Sequence, residues 1–201
     1  MIARISGTLV EKDAGRLVVD VGGVGYDIHA ASSTYFRIPE PNSEIVLHIR
    51  TIVKEDSITL YGFDEIRERN LFDMLISVTK IGPKMALGIL SGMAFDELLR
   101  SIADSDIRTL TKISGLGKKT AERLVVELKD KVTNFARCIE VDLVAESMPG
   151  AARDAVSALM NLDYSRVEAE RSVSRAMRDL SADAELEPIL TAALKILGKR
   201  S

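Results

Sequence analysis

The spacing of apolar positions divides the chain into stretches of different period. Over residues 1–63 the apolar side chains fall at strand-like intervals: Ile5, Leu9, Leu17, Val19 and Val21. A Gly22-Gly23-Val24-Gly25 turn leads into Tyr26-Asp27-Ile28-His29-Ala30. The run 43–53 alternates most cleanly, setting Ile45, Leu47 and Ile49 against Glu44, His48 and Arg50. A polar turn, Lys54-Glu55-Asp56-Ser57, precedes Ile58-Thr59-Leu60-Tyr61. About five short strands in this length suit a small closed barrel of OB type, since closure removes the sheet edges. A small open sheet is the competing arrangement.

From Asp64 the period becomes helical. Ile66, Leu71, Met74, Leu75 and Val78 form an apolar stripe, and helical spacing with glycine-centred breaks continues through Val132. Between Ala136 and Gly150 the pattern dissolves, ending in Ser147-Met148-Pro149-Gly150, which predicts a flexible linker over 136–149. Helical spacing then returns with Ala152, Val156, Leu159 and Met160. Ser165-Arg166-Val167-Glu168 fits a capping box, and a last helix is expected after Pro188 with Ile189, Leu190, Leu194 and Leu197 inward. The predicted class is α+β and multidomain. It comprises an OB-type β-barrel (1–63), an all-α central domain (64–135) and a C-terminal three-helix bundle of UBA-like kind (150–201).

Composition narrows the chemistry. Aromatics are 4% and Trp is absent, so the cores must be aliphatic. No apolar run reaches the roughly 18–20 residues that cross a bilayer, and the N-terminus lacks a signal-peptide stretch. The single Cys138 excludes an intrachain disulfide and a cysteine-based zinc site. These features point to the cytoplasm, with no membrane association and no cofactor. The net charge of −3 argues against a broadly basic nucleic-acid binder, but its distribution is uneven. Residues 1–63 carry 6 basic and 8 acidic side chains, 64–135 carry 12 and 11, and 136–201 carry 9 and 11. Only the middle segment is positive, and its lysines cluster beside glycine turns.

That segment contains a duplication. Shifted by 35 positions, Val78-Thr79-Lys80-Ile81-Gly82-Pro83-Lys84-Met85-Ala86 lies over Ile113-Ser114-Gly115-Leu116-Gly117-Lys118-Lys119-Thr120-Ala121. Leu75 matches Leu110 and Leu90 matches Val125. Each copy sets a helix, a tight glycine turn, a lysine two residues past the second glycine, and a second helix. Glycine lets backbone approach another group closely. The following helix N-terminus offers unpaired N–H donors and partial positive charge, a seat for phosphate, and Lys84 and Lys119 add full charge there. Pro83 fits the first helical position. Nothing in the arrangement faces a base edge, so binding should ignore sequence and weaken with salt. A single copy could equally be a helix hairpin with a glycine cap; two aligned copies favour phosphate binding. Lys80 stands where the second copy has Gly115, which puts the first turn's geometry in question while adding charge.

The pattern, roughly apolar-x-Gly-apolar-Gly-x-x-x-Ala, is that of helix-hairpin-helix elements. Nearly the whole chain resembles one family, the Holliday junction branch migration subunit RuvA. The resemblance rests on Met1-Ile2-Ala3-Arg4-Ile5-Ser6-Gly7, Asp20-Val21-Gly22-Gly23-Val24-Gly25-Tyr26, Glu55-Asp56 and Leu60-Tyr61-Gly62-Phe63. It also rests on Gly82-Pro83-Lys84, Leu90-Ser91-Gly92-Met93 and Gly117-Lys118-Lys119-Thr120-Ala121-Glu122-Arg123-Leu124. The resemblance implies a homotetramer holding four-way junction DNA open and square-planar, with a second tetramer able to clamp the other face as an octamer. It implies a barrel forming the tetramer core and a tethered C-terminal bundle that recruits the hexameric ATPase RuvB. The junction resolvase RuvC is a further implied partner. Glu55 and Asp56 match the family's acidic pin, where carboxylates would keep crossing backbones apart. Without the resemblance, such a pair is a solvated turn.

The candidate phosphate-binding residues are therefore Thr79, Lys80, Gly82, Lys84, Ser114, Gly115, Gly117, Lys118, Lys119, Thr120 and Arg123. Arg123 lies one turn beyond Lys119 but could equally pair with Glu122 or Glu127, and the Thr79 and Ser114 hydroxyls could instead cap turns. Leu162, Tyr164 and Ile196 are candidates for partner binding, with closing of the bundle core as the alternative. An enzyme acting on DNA is the rival class, because helix-hairpin-helix elements occur in glycosylases and nucleases. Those need a nucleophile or a metal-holding carboxylate cluster, whereas the carboxylates here are scattered and His29 and His48 are isolated. No Gly-x-x-x-x-Gly-Lys-Ser/Thr signature is present, so any ATP hydrolysis belongs to a partner. A general duplex or single-strand binder is a third reading, but the net acidic barrel is a poor match for a basic, stacking groove.

Overall fold

Alternation in the first sixty residues becomes a closed five-stranded barrel. The computed structural model describes the backbone of residues 1–147, 150–178, 180–181 and 184–198, and the side chains of these except 140–147 and 167. Strands β1 (Arg4–Asp13), β2 (Arg16–Val21), β3 (Val24–Ala30), β4 (Glu44–Val53) and β5 (Ile58–Phe63) close in the order β1-β2-β3-β5-β4. Only the β3–β5 pair is parallel. The period-2 pattern of β4 is realised directly: Ile45, Leu47 and Ile49 are buried with Ile5, Leu9, Leu17, Val19 and Ile28. Gly22 and Gly23 both take positive φ (63° and 90°), the two-residue turn that matches the twist of a hairpin. The open-sheet alternative is thereby set aside.

One element was not foreseen. Ser32–Arg37 forms a short helix, α1, between β3 and β4. The Arg37 guanidinium donates to Asp64 at 2.6 and 2.7 Å and pairs with Glu68 at 2.7 Å. Glu68 is 3% exposed, and a carboxylate so buried needs this partner. The pair also holds the Arg37 charge more firmly than usual, through its hydrogen bond to Asp64 first, then Glu68.

Helix α2 (Ile66–Ser77) packs on the barrel, with the Phe72 ring 5.1 Å from both Tyr61 and Phe63. Its inward stripe is Leu71, Phe72 and Leu75; Ile66 is exposed, a correction to the predicted stripe. Helices α3 (Pro83–Gly92), α4 (Phe95–Ala103), α5 (Ile107–Leu110) and α6 (Lys118–Ser147) come next along the chain. The barrel and hairpins, expected as separate domains, cluster as one compact unit spanning Met1–Thr133. Rings of α2 stacked on β5 and the Arg37 pairs make that seam continuous.

Part of the stretch expected as a linker, 136–149, is helical in its backbone. Backbone helix α6 runs through Ser147; the segment contains neither Gly nor Pro before Pro149 to stop it. Met148 and Pro149 lie outside the described residues.

The second unit, Asn134–Ser201, holds α7 (Gly150–Asn161), α8 (Arg166–Arg178) and α9 (Leu186–Gly198). Small residues build its core: Ala152, Ala155, Ala169, Ala176 and Ala193 around Val156, Leu159, Val173 and Ile189. The capping box forms, Ser165 N–H donating to Glu168 Oε2 (3.2 Å) and Glu168 N–H to Ser165 Oγ (3.4 Å). Met160, placed inward by its spacing, is exposed, and α9 begins two residues before Pro188. Among the described residues no helix is long and apolar enough to cross a membrane, and no group of His, Cys, Asp and Glu could hold a metal ion.

Candidate nucleic-acid interface

Three backbone hydrogen bonds repeat across the duplication seen in sequence. In the first hairpin Val78 N–H donates to Leu75 O, Ile81 to Val78 O and Ala86 to Gly82 O, at 3.1, 3.0 and 2.9 Å. In the second, 35 residues on, Ile113 donates to Leu110 O, Leu116 to Ile113 O and Ala121 to Gly117 O, at 3.1, 3.1 and 3.0 Å. Val78 and Ile113, Ile81 and Leu116, Ala86 and Ala121 are all buried. The apolar residues of each turn face inward, which forces the intervening polar residues out. The second copy's leading helix is only four residues long, opened by Asp106 accepting from Thr109 N–H at 3.1 Å.

Lys80 adopts φ 75° where Gly115 adopts φ 84°. The two turns therefore share one backbone path, and the replacement of glycine by lysine leaves the geometry intact. The left-handed conformation costs a side-chain-bearing residue about 1–2 kcal/mol. The first hairpin carries that strain together with an extra cation.

Both seats are open. A Cβ added at Gly82 or Gly117 would meet nothing within 4 Å, so each glycine presents bare backbone to solvent. The N-terminus of α3 has no side-chain cap and starts with Pro83, leaving its first N–H groups directed outward. Thr79, Lys80, Lys84, Ser114, Gly115, Lys118, Lys119 and Arg123 are exposed, and Thr120 is half-buried. Lys118 and Arg123 reach Glu122 and Glu127 only at 4.0 and 3.9 Å. Exposed pairs of this kind contribute about 0–1 kcal/mol, so turning either cation toward a phosphate costs little. Among the described residues no carboxylate lies within ion-pair distance of Lys80, Lys84 or Lys119. The Thr79 N–H is already used, donating to Glu127 Oε2 at 3.4 Å. Glu127 had no assigned role from sequence beyond pairing with Arg123; only the fold brings it to Thr79.

Comparison with known proteins fits this arrangement from end to end. Residues 1–62 match the RuvA N terminal domain, 72–130 a SAM-like helix-hairpin-helix tandem, and 150–198 the RuvA C-terminal domain. Relatives named Holliday junction branch migration complex subunit RuvA cover nearly the same length. That of Marinomonas sp. (strain MWYL1) is 43% identical over 198 residues, 97% of this chain and 98% of the relative. That of Myxococcus xanthus (strain DK1622) is 40% identical over 198 residues, 98% of each. The chain belongs to the RuvA family.

The remaining candidates of this RuvA-family chain lie elsewhere. Glu55 and Asp56 sit exposed at the β4–β5 tip, where Lys54 N–H donates to Ser57 O at 2.8 Å and closes the turn. The strands pair Val53 with Ile58 immediately behind it, and both side chains are exposed. Of the barrel aromatics, Tyr61 and Phe63 are buried, Tyr26 and Tyr35 are half-buried against the core, and Phe36 is 80% exposed. One open ring is no stacking platform for a single strand. In the C-terminal unit Leu162 is 55% exposed, whereas Tyr164 and Ile196 pack against the core.

Proposed function

We propose that this chain is a non-catalytic, sequence-independent binding subunit for four-way junction DNA, acting in homologous recombination and DNA repair. The observation that carries the proposal is the set of three backbone bonds shared by the two hairpins, each with an open glycine and, among the described residues, a lysine with no ion-pair partner beside it. Two equivalent seats grip two points on sugar-phosphate backbone, and neither offers groups arranged to read bases. The names of the relatives, subunits of a Holliday junction branch migration complex, support a branched duplex as the ligand.

In this reading the barrel forms the core of a homotetramer. Its hairpin tips carry exposed apolar pairs, Val21 with Val24 and Val53 with Ile58, that gain by being covered. Glu55 and Asp56 stand at the junction centre and repel phosphates, keeping crossing strands apart. The α7–α9 bundle recruits the hexameric ATPase RuvB, with Leu162 as the exposed contact and Tyr164 and Ile196 shaping the surface beneath it. A second tetramer on the opposite face and the resolvase RuvC complete the set of partners, and the chain works in the cytoplasm, where bacterial DNA lies. The test is gel-shift titration of a four-way junction against linear duplex of the same sequence, with light scattering for mass. Tight binding of the junction by a tetramer is expected; equal affinity for both DNAs would refute it.

A further inference from the structure

The two hairpins brace each other at equivalent positions, by different means. At the end of α3, Gly92 lies against the second turn: a Cβ there would stand 2.9 Å from Ile113 Cγ2. The residue 35 positions on is Glu127, in α6, and it reaches the first turn by accepting from Thr79 N–H at 3.4 Å. Thr79 and Ser114 are themselves partners in the same repeat, and Ile113 directly precedes Ser114. Each second helix therefore rests on the other hairpin's turn, through close apolar packing in one direction and a carboxylate in the other. The other oxygen of that carboxylate, Oε1, lies 3.9 Å from Arg123 Nε. One acidic side chain thus touches the turn of the first seat and a cation of the second.

We propose that Glu127 is a positioning residue for DNA binding, holding the first phosphate seat in register with the second. The proposal rests on the hairpins being the phosphate-binding surface. It makes a prediction opposite in sign to simple electrostatics. A lone carboxylate near DNA repels phosphate, so its removal should tighten binding. If Glu127 sets the spacing of two seats that must engage one duplex together, its removal should weaken binding despite the lost repulsion.

The experiment uses the full-length chain and a labelled four-way junction, comparing Glu127→Ala, Glu127→Gln and wild type, with Lys84→Ala/Lys119→Ala in parallel. Expected is a roughly 5- to 10-fold loss for Glu127→Ala. Glu127→Gln keeps an acceptor for the Thr79 N–H and should bind within about 2-fold of wild type. Amide exchange at Thr79 should speed up in the alanine variant and return toward wild type in the glutamine variant. Tighter binding by Glu127→Ala, or a glutamine variant as weak as the alanine one, would overturn the brace. Should Lys84→Ala/Lys119→Ala bind like wild type, the phosphate surface itself would be refuted, whatever Glu127 does.

Discussion

Replacing Lys80 by glycine separates the two things this residue does. Its φ of 75° is a conformation glycine adopts freely, as Gly115 does at the matching position. Relief of the left-handed strain is worth about 1–2 kcal/mol. Greater freedom of glycine in the unfolded chain takes back about 0.5–1 kcal/mol. Taken at the middle of both ranges, the net gain is about 0.75 kcal/mol, a rise in Tm of about 1.5–3 °C for a chain of this size. Binding should move the other way. Each phosphate neutralised contributes about 0.9 to the slope of log K against log salt, so loss of one cation weakens binding about 8-fold at 0.1 M salt per chain engaged. Lys80→Asn removes the charge but tolerates the same backbone, and should lose affinity with less gain in Tm. Scanning calorimetry and salt-titrated fluorescence anisotropy read the two effects. A glycine variant with unchanged Tm and unchanged salt slope would refute both the strain and the phosphate contact.

The same geometry yields three other expected outcomes. Gly117→Ser supplies a preferred helix cap and meets no neighbour, so its Tm should hold or rise slightly while its Cβ and hydroxyl obstruct the seat and junction affinity falls about 10-fold or more; retained affinity would remove the close-approach argument. Glu55→Gln with Asp56→Asn should leave junction binding equal or tighter and alter strand processing by the assembled complex, and collapse of binding would contradict a repulsive tip. His48 titrates below the usual histidine range, through burial first and then the charges of Arg69 and Arg4. The unfolded chain therefore takes up the proton first as pH falls, and this contribution to stability, full above about pH 6.5, declines below it. Tm should drop between pH 7.5 and 5.5, and His48→Asn should reduce the drop; an identical drop in the variant would rule the residue out.

Local signals in the sequence carried most of the architecture. Alternation in β4, the paired glycines at 22 and 23 and the Ser165–Glu168 box each depend on a few neighbouring residues, and each forms as the pattern implies. The features that escaped depend on distant partners. Helix α1 is too short to show a period and is held by Arg37 against Asp64 and Glu68. The burial of Glu68 is invisible without Arg37, and a period alone could not tell that Ile66 and Met160 face water. The 136–147 stretch looked irregular because its apolar residues follow no clean stripe, yet it holds nothing that breaks a helix. At the candidate interface the shared Lys-and-glycine spacing picked out the two turns whose backbone bonds and angles match. The equivalence of Lys80 and Gly115 and the reach of Glu127 to Thr79 needed coordinates, since one is a backbone angle and the other joins residues 48 apart.

The most direct test of the two-seat grip is the salt dependence of junction binding by Lys84→Ala/Lys119→Ala against wild type. Loss of two phosphate contacts should lower the slope of log K against log salt by about 1.8 per chain engaged and weaken binding most at low salt. A double variant whose affinity and slope match the wild type would contradict the account.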